Sequence, residues 1–159
     1  HVNGRIDPLS DIETIETELM LADIESLEKQ IKNLEKKARG LDKEAAKLLS
    51  DAIAIKTNLE KSVPARDGDV DASPFNLLTA KPVIYVCNVE ESAAASGNKY
   101  SDMVVEKFGK VADVLVISSK IEMEISQIVD LDERKMFLDD LGLTESGLDK
   151  VIKTGYKTL

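Results

Sequence analysis

The run Val83-Ile84-Tyr85-Val86-Cys87-Asn88 constrains this chain most, because it carries no charge and turns polar only at Asn88. A short run of β-branched and aromatic residues that does not alternate with polar ones reads as a strand buried on both faces, and such strands belong to parallel sheets. Parallel neighbours need a crossover connection, so a helix and a second strand must follow. Tyr100, Met103, Val104 and Phe108 mark one face of a helix that stops near Gly109, and Ala112-Asp113-Val114-Leu115-Val116-Ile117 is the second strand. A right-handed crossover would set Asn88 and Ser118 at one edge of the sheet. Open α/β sheets bind ligands there, at the carboxyl ends of their strands. Asn88 and its neighbours, facing Ser118-Ser119-Lys120, are therefore the candidate site. A helix from Ile121 to about Ile128 would aim its first N–H groups at the same crevice. The local pattern also fits a strand end whose Asn only makes a turn.

Before this strand the pattern is a repeat of seven. Pro8 biases Asp7 away from helix, and Ser10 followed by Glu13 has the spacing of a capping box, so a helix is expected from near Asp11. Met20, Ile24, Leu27, Ile31, Leu34, Ala38 and Leu41 then recur at alternating steps of four and three, a coiled-coil seam about three heptads long. Gly40 stops the helix and Asp42 caps the next, which carries Ala45, Leu48, Ala52, Ile55 and Leu59. So short a connection predicts an antiparallel α-helical hairpin. Lys29, Lys32, Lys36, Lys37, Arg39, Lys43 and Lys47 gather near its turn. They read either as a solvated face or as a projecting tip that touches RNA or a partner.

Elsewhere the signals are weaker. Ser62 to Ser73 holds Pro64, Gly68 and three spaced aspartates, and reads as a flexible surface connection. Counted from Asp67, the sixth and twelfth residues are Ala72 and Leu78, where a calcium loop needs Gly and Glu, so metal binding is rejected there. Pro74 to Thr79 is expected to form a short helix, and Ser92 to Asn98 a mobile loop. Asp132-Glu133-Arg134 opens a helix with Met136, Phe137 and Leu141 that Gly142 closes. Thr144 and Glu145 begin a last one through Leu148, Val151, Ile152 and Tyr156.

Composition sets the class and removes several functions. With 159 residues, 43% hydrophobic and 32% charged but only 4% aromatic, the chain reads as mostly helical α/β, a long coiled-coil hairpin beside a partial Rossmann-like parallel sheet. A net charge of -9 argues against a general grip on phosphate backbones. His1 is the sole histidine and Cys87 the sole cysteine, so neither a metal cluster nor a Ser-His-Asp site can be assembled. Cys87 reads as a small core residue in a reducing, cytoplasmic setting. No apolar run approaches the roughly 20 residues that span a bilayer. No G-x-x-x-x-G-K-S/T loop occurs, so no residues here can hold the β- and γ-phosphates of a nucleotide.

Four segments together carry a family resemblance: His1-Val2-Asn3-Gly4-Arg5-Ile6-Asp7-Pro8, Asp11-Ile12-Glu13 through Thr17-Glu18-Leu19, Leu77-Leu78-Thr79-Ala80-Lys81-Pro82-Val83, and Gly147-Leu148 through Gly155-Tyr156. With the marker Asn88-Val89-Glu90-Glu91, the chain resembles the Obg-like ATPases, P-loop proteins of the translation-factor class. The GTPases of that class carry N-K-x-D, whose Asp takes the N1 and N2 hydrogens of guanine. Obg-like ATPases carry N-x-x-E and prefer ATP.

The resemblance implies a site of Asn88, Val89, Glu91, Ser118, Ser119 and Lys120 around a purine base, with no catalytic residue and no metal ligand in this chain. Asn88 would bond the base at N7, main chain near Val89 would accept from the adenine amino group, and Ser118-Ser119-Lys120 would correspond to the S-A-K loop. Glu91, one methylene longer than Asp, would no longer fit the guanine edge. The family's P-loop and magnesium ligands would precede His1, and a β-rich domain of the threonyl-tRNA synthetase type would follow Leu159. The expected division is residues 1–11 and 73–159 in the nucleotide domain and 12–72 in a helical insertion. ATP, or GTP, with magnesium is then the implied cofactor of an intact protein. The large ribosomal subunit and RNA are its implied partners, with Lys36, Lys37, Arg39 and Lys43 as contacts. The isolated chain is expected to be inactive and to self-associate through its strand edges.

Overall fold

The computed structural model describes residues 6–40 and 42–158; the expectations placed on His1 to Arg5, and on Leu41 in the seam, lie outside the described residues. The chain divides into two compact units, one of residues 10–82 and one of residues 83–158 with residues 6–9.

The first unit is built on α1 (Pro8–Ala38) and α2 (Lys43–Glu60). Helix α1 starts at Pro8 and not near Asp11. Proline suits a first helical turn, because its φ is preset and its missing N–H would have had no partner there. Ser10 is consequently inside the helix, its carbonyl accepting from Thr14 Oγ1 at 2.9 Å. Asp42 does cap α2, taking the N–H groups of Glu44 and Ala45 at 3.0 Å each. Met20 and Leu27 share a core with Ala52, Ile55 and Leu59, and Ile24, Ile31, Leu34 and Leu48 pack against it. Lys56 reaches from α2 to Glu28 of α1 at 3.5 Å.

The stretch after α2 is not a loose connection. It makes a 3-10 turn at Ala65–Asp67 and buries Ala65 and Ala72. A second turn, Ser73–Phe75, replaces the helix expected over Pro74 to Thr79 and ends where Asn76 enters the left-handed region at φ 49. From there Phe75 and Leu77 join the helical core. The cause is one buried carboxylate. Asp23, 2% exposed, accepts from Leu78 N–H at 2.7 Å, Thr79 N–H at 2.8 Å and Thr79 Oγ1 at 2.7 Å. Thr79 Oγ1 accepts in turn from Ala65 N–H at 3.0 Å. A carboxylate survives burial when donors replace its water, and these donors come from a segment more than 50 residues away. Residues 73–82 thereby pack with the helices, although sequence groups them with the strand that follows.

In the second unit, β1 (Ile84–Asn88) pairs in parallel with β2 (Asp113–Ile117), in register from Ile84 opposite Asp113 to Asn88 opposite Ile117. The connection is α3 (Lys99–Phe108), started by a capping box between Asn98 and Ser101. Alternate side chains of a strand face opposite ways. Tyr85 meets Phe108 of α3 with ring centroids 4.7 Å apart. On the other face of the sheet Ile117 and Asp113 meet α6 (Gly147–Thr158), Lys157 standing 3.7 Å from Asp113.

The strands are half-buried rather than enclosed. Val86 is 47% exposed, and β2 is partly exposed along its whole length. Among the described residues the sheet has two strands, and α6 packs on β2 without covering Val86. Cys87 is likewise only half-buried, not a core residue, and that burial pushes its thiol pKa up.

Three smaller departures have similar causes. Ser92 to Asn98 is partly packed: Glu91–Ala93 forms a 3-10 turn, Ala93 and Ala94 are buried, and Gly97 at φ +78 leads into the cap of α3. On α3 the buried positions are Ser101 and Val104, whereas Met103 is 39% exposed. After α4 (Ser119–Gln127), helix α5 (Leu131–Asp140) buries Leu138 in place of Met136, which is 67% exposed. Leu138 and Leu143 join Ala94, Ile121 and Ile125 in the second core. Among the described residues no helix is long and apolar enough to cross a membrane.

Candidate functional site

The parallel register sets the ends of β1 and β2 side by side. Val89 N–H extends the ladder by donating to Ile117 carbonyl at 2.8 Å, and this draws the Val89 side chain inside, 8% exposed. Asn88, one residue earlier on the alternating strand, stays exposed. Its Oδ1 accepts from both Ser119 N–H and Ser119 Oγ–H, each at 2.9 Å. With the carbonyl end of the amide taken twice by one loop, the Nδ2 hydrogens are what Asn88 has left to offer a ligand.

Ser119 is the first residue of α4, so the strand-end amide is joined directly to a helix start. Lys120, next along, pairs with Glu91 at the head of the opposite 3-10 turn. The hydrogen bond from Lys120 to Glu91 holds the ammonium above its ordinary range. Glu90 is occupied elsewhere, accepting from Asn98 Nδ2 at 3.0 Å. Asn88, Glu91, Ser119 and Lys120 thus form one surface cluster linked across the two strand ends. Val89 and Ser118 stand beside it with their side chains buried, and only their main chain is available to that surface. Ser118 Oγ is buried without a partner and borders a cavity of about 10 Å³, near the smallest that holds one water.

One polar contact escaped the sequence reading. Glu122 on α4 accepts from Gly147 N–H at 2.6 Å and Leu148 N–H at 3.0 Å, so a carboxylate sits on the amino end of α6. Gly147 is required there, since a Cβ would come within 2.7 Å of Ile117 Cγ2 and 2.8 Å of Glu122 Oε1. No spacing rule links residues 25 apart, and Glu122 alone looks like an ordinary exposed helix charge.

The basic set lies in the helical unit. Lys36, Lys37, Arg39 and Lys43 are exposed around the turn between α1 and α2. Lys36 and Lys37 occupy the last turn of α1, where positive charge is favoured by the helix dipole.

No protein-family model matches the chain. Individual proteins do. The ribosome-binding ATPase YchF of Bacillus subtilis is 40% identical over 168 residues, an alignment spanning 100% of this chain and 46% of that protein. Its namesake in Pasteurella multocida is 43% identical over 166 residues, spanning 100% and 45%. Obg-like ATPase 1 of Caenorhabditis elegans is 29% identical over 170 residues, spanning 100% and 42%. In three dimensions the structure of the Schizosaccharomyces pombe YchF GTPase superposes with a TM-score of 0.81 at 28% identity, spanning 100% of this chain and 46% of that one. The chain carries a segment of the Obg-like ATPase family. It spans about half the length of the curated relatives it matches.

Within this Obg-like segment, the N-x-x-E residues Asn88 and Glu91 and the loop Ser118-Ser119-Lys120 meet at the strand ends. Among the described residues, no group of three or more His, Cys, Asp or Glu side chains could hold a metal ion.

Proposed function

We propose that the chain is the base-binding part of a cytoplasmic, ribosome-associated P-loop ATPase that prefers ATP to GTP. The observation that carries this reading is the double acceptance by Asn88 Oδ1 from Ser119. It fixes the side-chain amide with its NH₂ available to donate to purine N7, while the exposed N–H end of α4 borders the same surface. Asn88 contacts the base by side chain, Glu91 faces its edge, and Val89 and the loop Ser118-Ser119-Lys120 approach it by main chain. Glu91 presents its acceptor one methylene further out than Asp would, a poorer fit to the guanine edge, so it weakens guanine selectivity rather than creating adenine selectivity.

The chain alone hydrolyses nothing, because its sequence has no loop to hold phosphates. Its first unit is an antiparallel coiled-coil hairpin: Glu28 near Lys56, with Ala38 and Lys43 flanking the turn, is the pairing such a hairpin makes. The hairpin end, through Lys36, Lys37, Arg39 and Lys43, meets the large ribosomal subunit or its RNA, and copies of the chain associate through their strands.

The name of the solved relative supports a second reading, in which the nucleotide is GTP. A purely structural coiled-coil module would leave the linked strand ends without a role. Calorimetric titration of ATP and GTP into the chain and into an Asn88→Ala variant separates the three. Saturable ATP binding, weakened roughly tenfold by Asn88→Ala, supports the proposal. Stronger GTP binding favours the second reading, and no binding favours the module. Phosphate release by the isolated chain would contradict the expected inactivity.

A further inference from the structure

In the nucleotide site proposed above, the carboxylate that would read the base is already engaged. Lys120 Nζ reaches across from α4 to Glu91 Oε2, and the pair lies on the surface beside Asn88, with side-chain exposures of 61% and 38%. Val89, next to Asn88 at this rim, is apolar and 8% exposed. The nearest charge to Glu91 that the structure offers is therefore Lys120, on the loop that also holds Asn88. Glu90 cannot take over the role, since it is bound to Asn98 at 3.0 Å.

Adenine and guanine differ on this edge in a simple way. Guanine presents N1 and N2 hydrogens, which a free carboxylate accepts; adenine presents an N1 lone pair, which a free carboxylate repels. A carboxylate held by an ammonium does less of both. We propose that Lys120 is a specificity-determining residue, which pairs with Glu91 and so withdraws that carboxylate from the purine edge. On this proposal the tolerance of adenine comes from the Lys120–Glu91 pair as well as from the length of Glu91. Removing the ammonium then frees an acceptor that favours guanine and opposes adenine.

The size of the effect is bounded by exposure, since an exposed pair changes an equilibrium by up to about fivefold. Loss of a positive charge also weakens any triphosphate, but it does so for ATP and GTP alike, so the ratio of their affinities isolates the base.

The test is a titration of the isotope-labelled 159-residue chain with ATP and with GTP, followed at the Asn88 and Ser119 amides. Wild type, Lys120→Met, Lys120→Arg, Glu91→Gln and the Lys120→Met/Glu91→Gln double variant are compared. The expected result is a GTP-to-ATP affinity ratio raised about threefold by Lys120→Met. Lys120→Arg, which keeps the pair, retains the wild-type ratio, and Lys120→Met has no effect on the ratio once Glu91 is Gln. The proposal is overturned if Lys120→Met weakens both nucleotides equally, or if its ratio change persists in the Gln background. Saturable shifts with an unchanged ratio sink the role of Lys120 alone. Absence of saturable shifts with either nucleotide sinks the purine site, and this role with it.

Discussion

The two units reach order by different means. The unit of residues 10–82 closes a core around Leu27 and Ala52, both 0% exposed, and ties its trailing segment to α1 through the buried Asp23. The unit of residues 83–158 has a sheet of two half-buried strands and leaves Val111, Leu148 and Tyr156 at 82%, 61% and 81% exposure. Order in the first is a matter of burial. In the second, the strand ends are held by polar links, Asn88 to Ser119, Lys120 to Glu91 and Glu122 to the start of α6. A surface site that must admit a ligand is better organised by such links than by closure, because the linking groups remain open to water.

The largest test of this contrast is Asp23→Ala. It strands three donors in a buried place and should cost the helical unit about 4 kcal/mol, read by urea denaturation. A loss below about 1 kcal/mol would show that the Leu77 to Thr79 corner is held by packing instead. In the other unit, Gly147→Ala drives a Cβ against Ile117 and Glu122, and about 2 kcal/mol should be lost in the same measurement. Val86→Ala should cost under about 1 kcal/mol, since the side chain is already 47% exposed; a loss like that of a core residue would mean that the sheet face is covered.

The smallest effect is at Cys87, whose thiol pKa is raised by burial. The folded state keeps this proton longer than the unfolded one, so its contribution is intact below about pH 8.5 and is lost as pH rises through the raised folded value. Alkylation of the native chain at mildly alkaline pH should be slower than of the urea-unfolded chain, and equal rates would remove the assigned burial.

What could be read from sequence follows the same division. The seam residues Met20 to Leu34 and the Asp42 cap are local patterns, visible because a helix repeats its environment every turn. The start of α1 was misplaced because Ser10 and Glu13 have cap spacing while Pro8 already fits the first turn. The segment after α2 was misread because Asp23 and Thr79, far apart in sequence, decide it. For the strands, composition located them to within a residue or so but overstated their burial, since an apolar run states what a strand can bury and not what covers it. Asn88 and Ser118 are legible as strand ends. The bond between Asn88 and Ser119, and the Glu122 contact with Gly147, depend on the third dimension.

The central claim is that a purine base sits between the ends of β1 and β2, and a crystal structure of the chain grown with ATP tests it most directly. The account predicts adenine density with N7 within hydrogen-bonding distance, about 3 Å, of Asn88 Nδ2, and the Asn88–Ser119 link intact. A base bound anywhere else on the chain, or Asn88 turned away from it while saturated with nucleotide, would contradict the account.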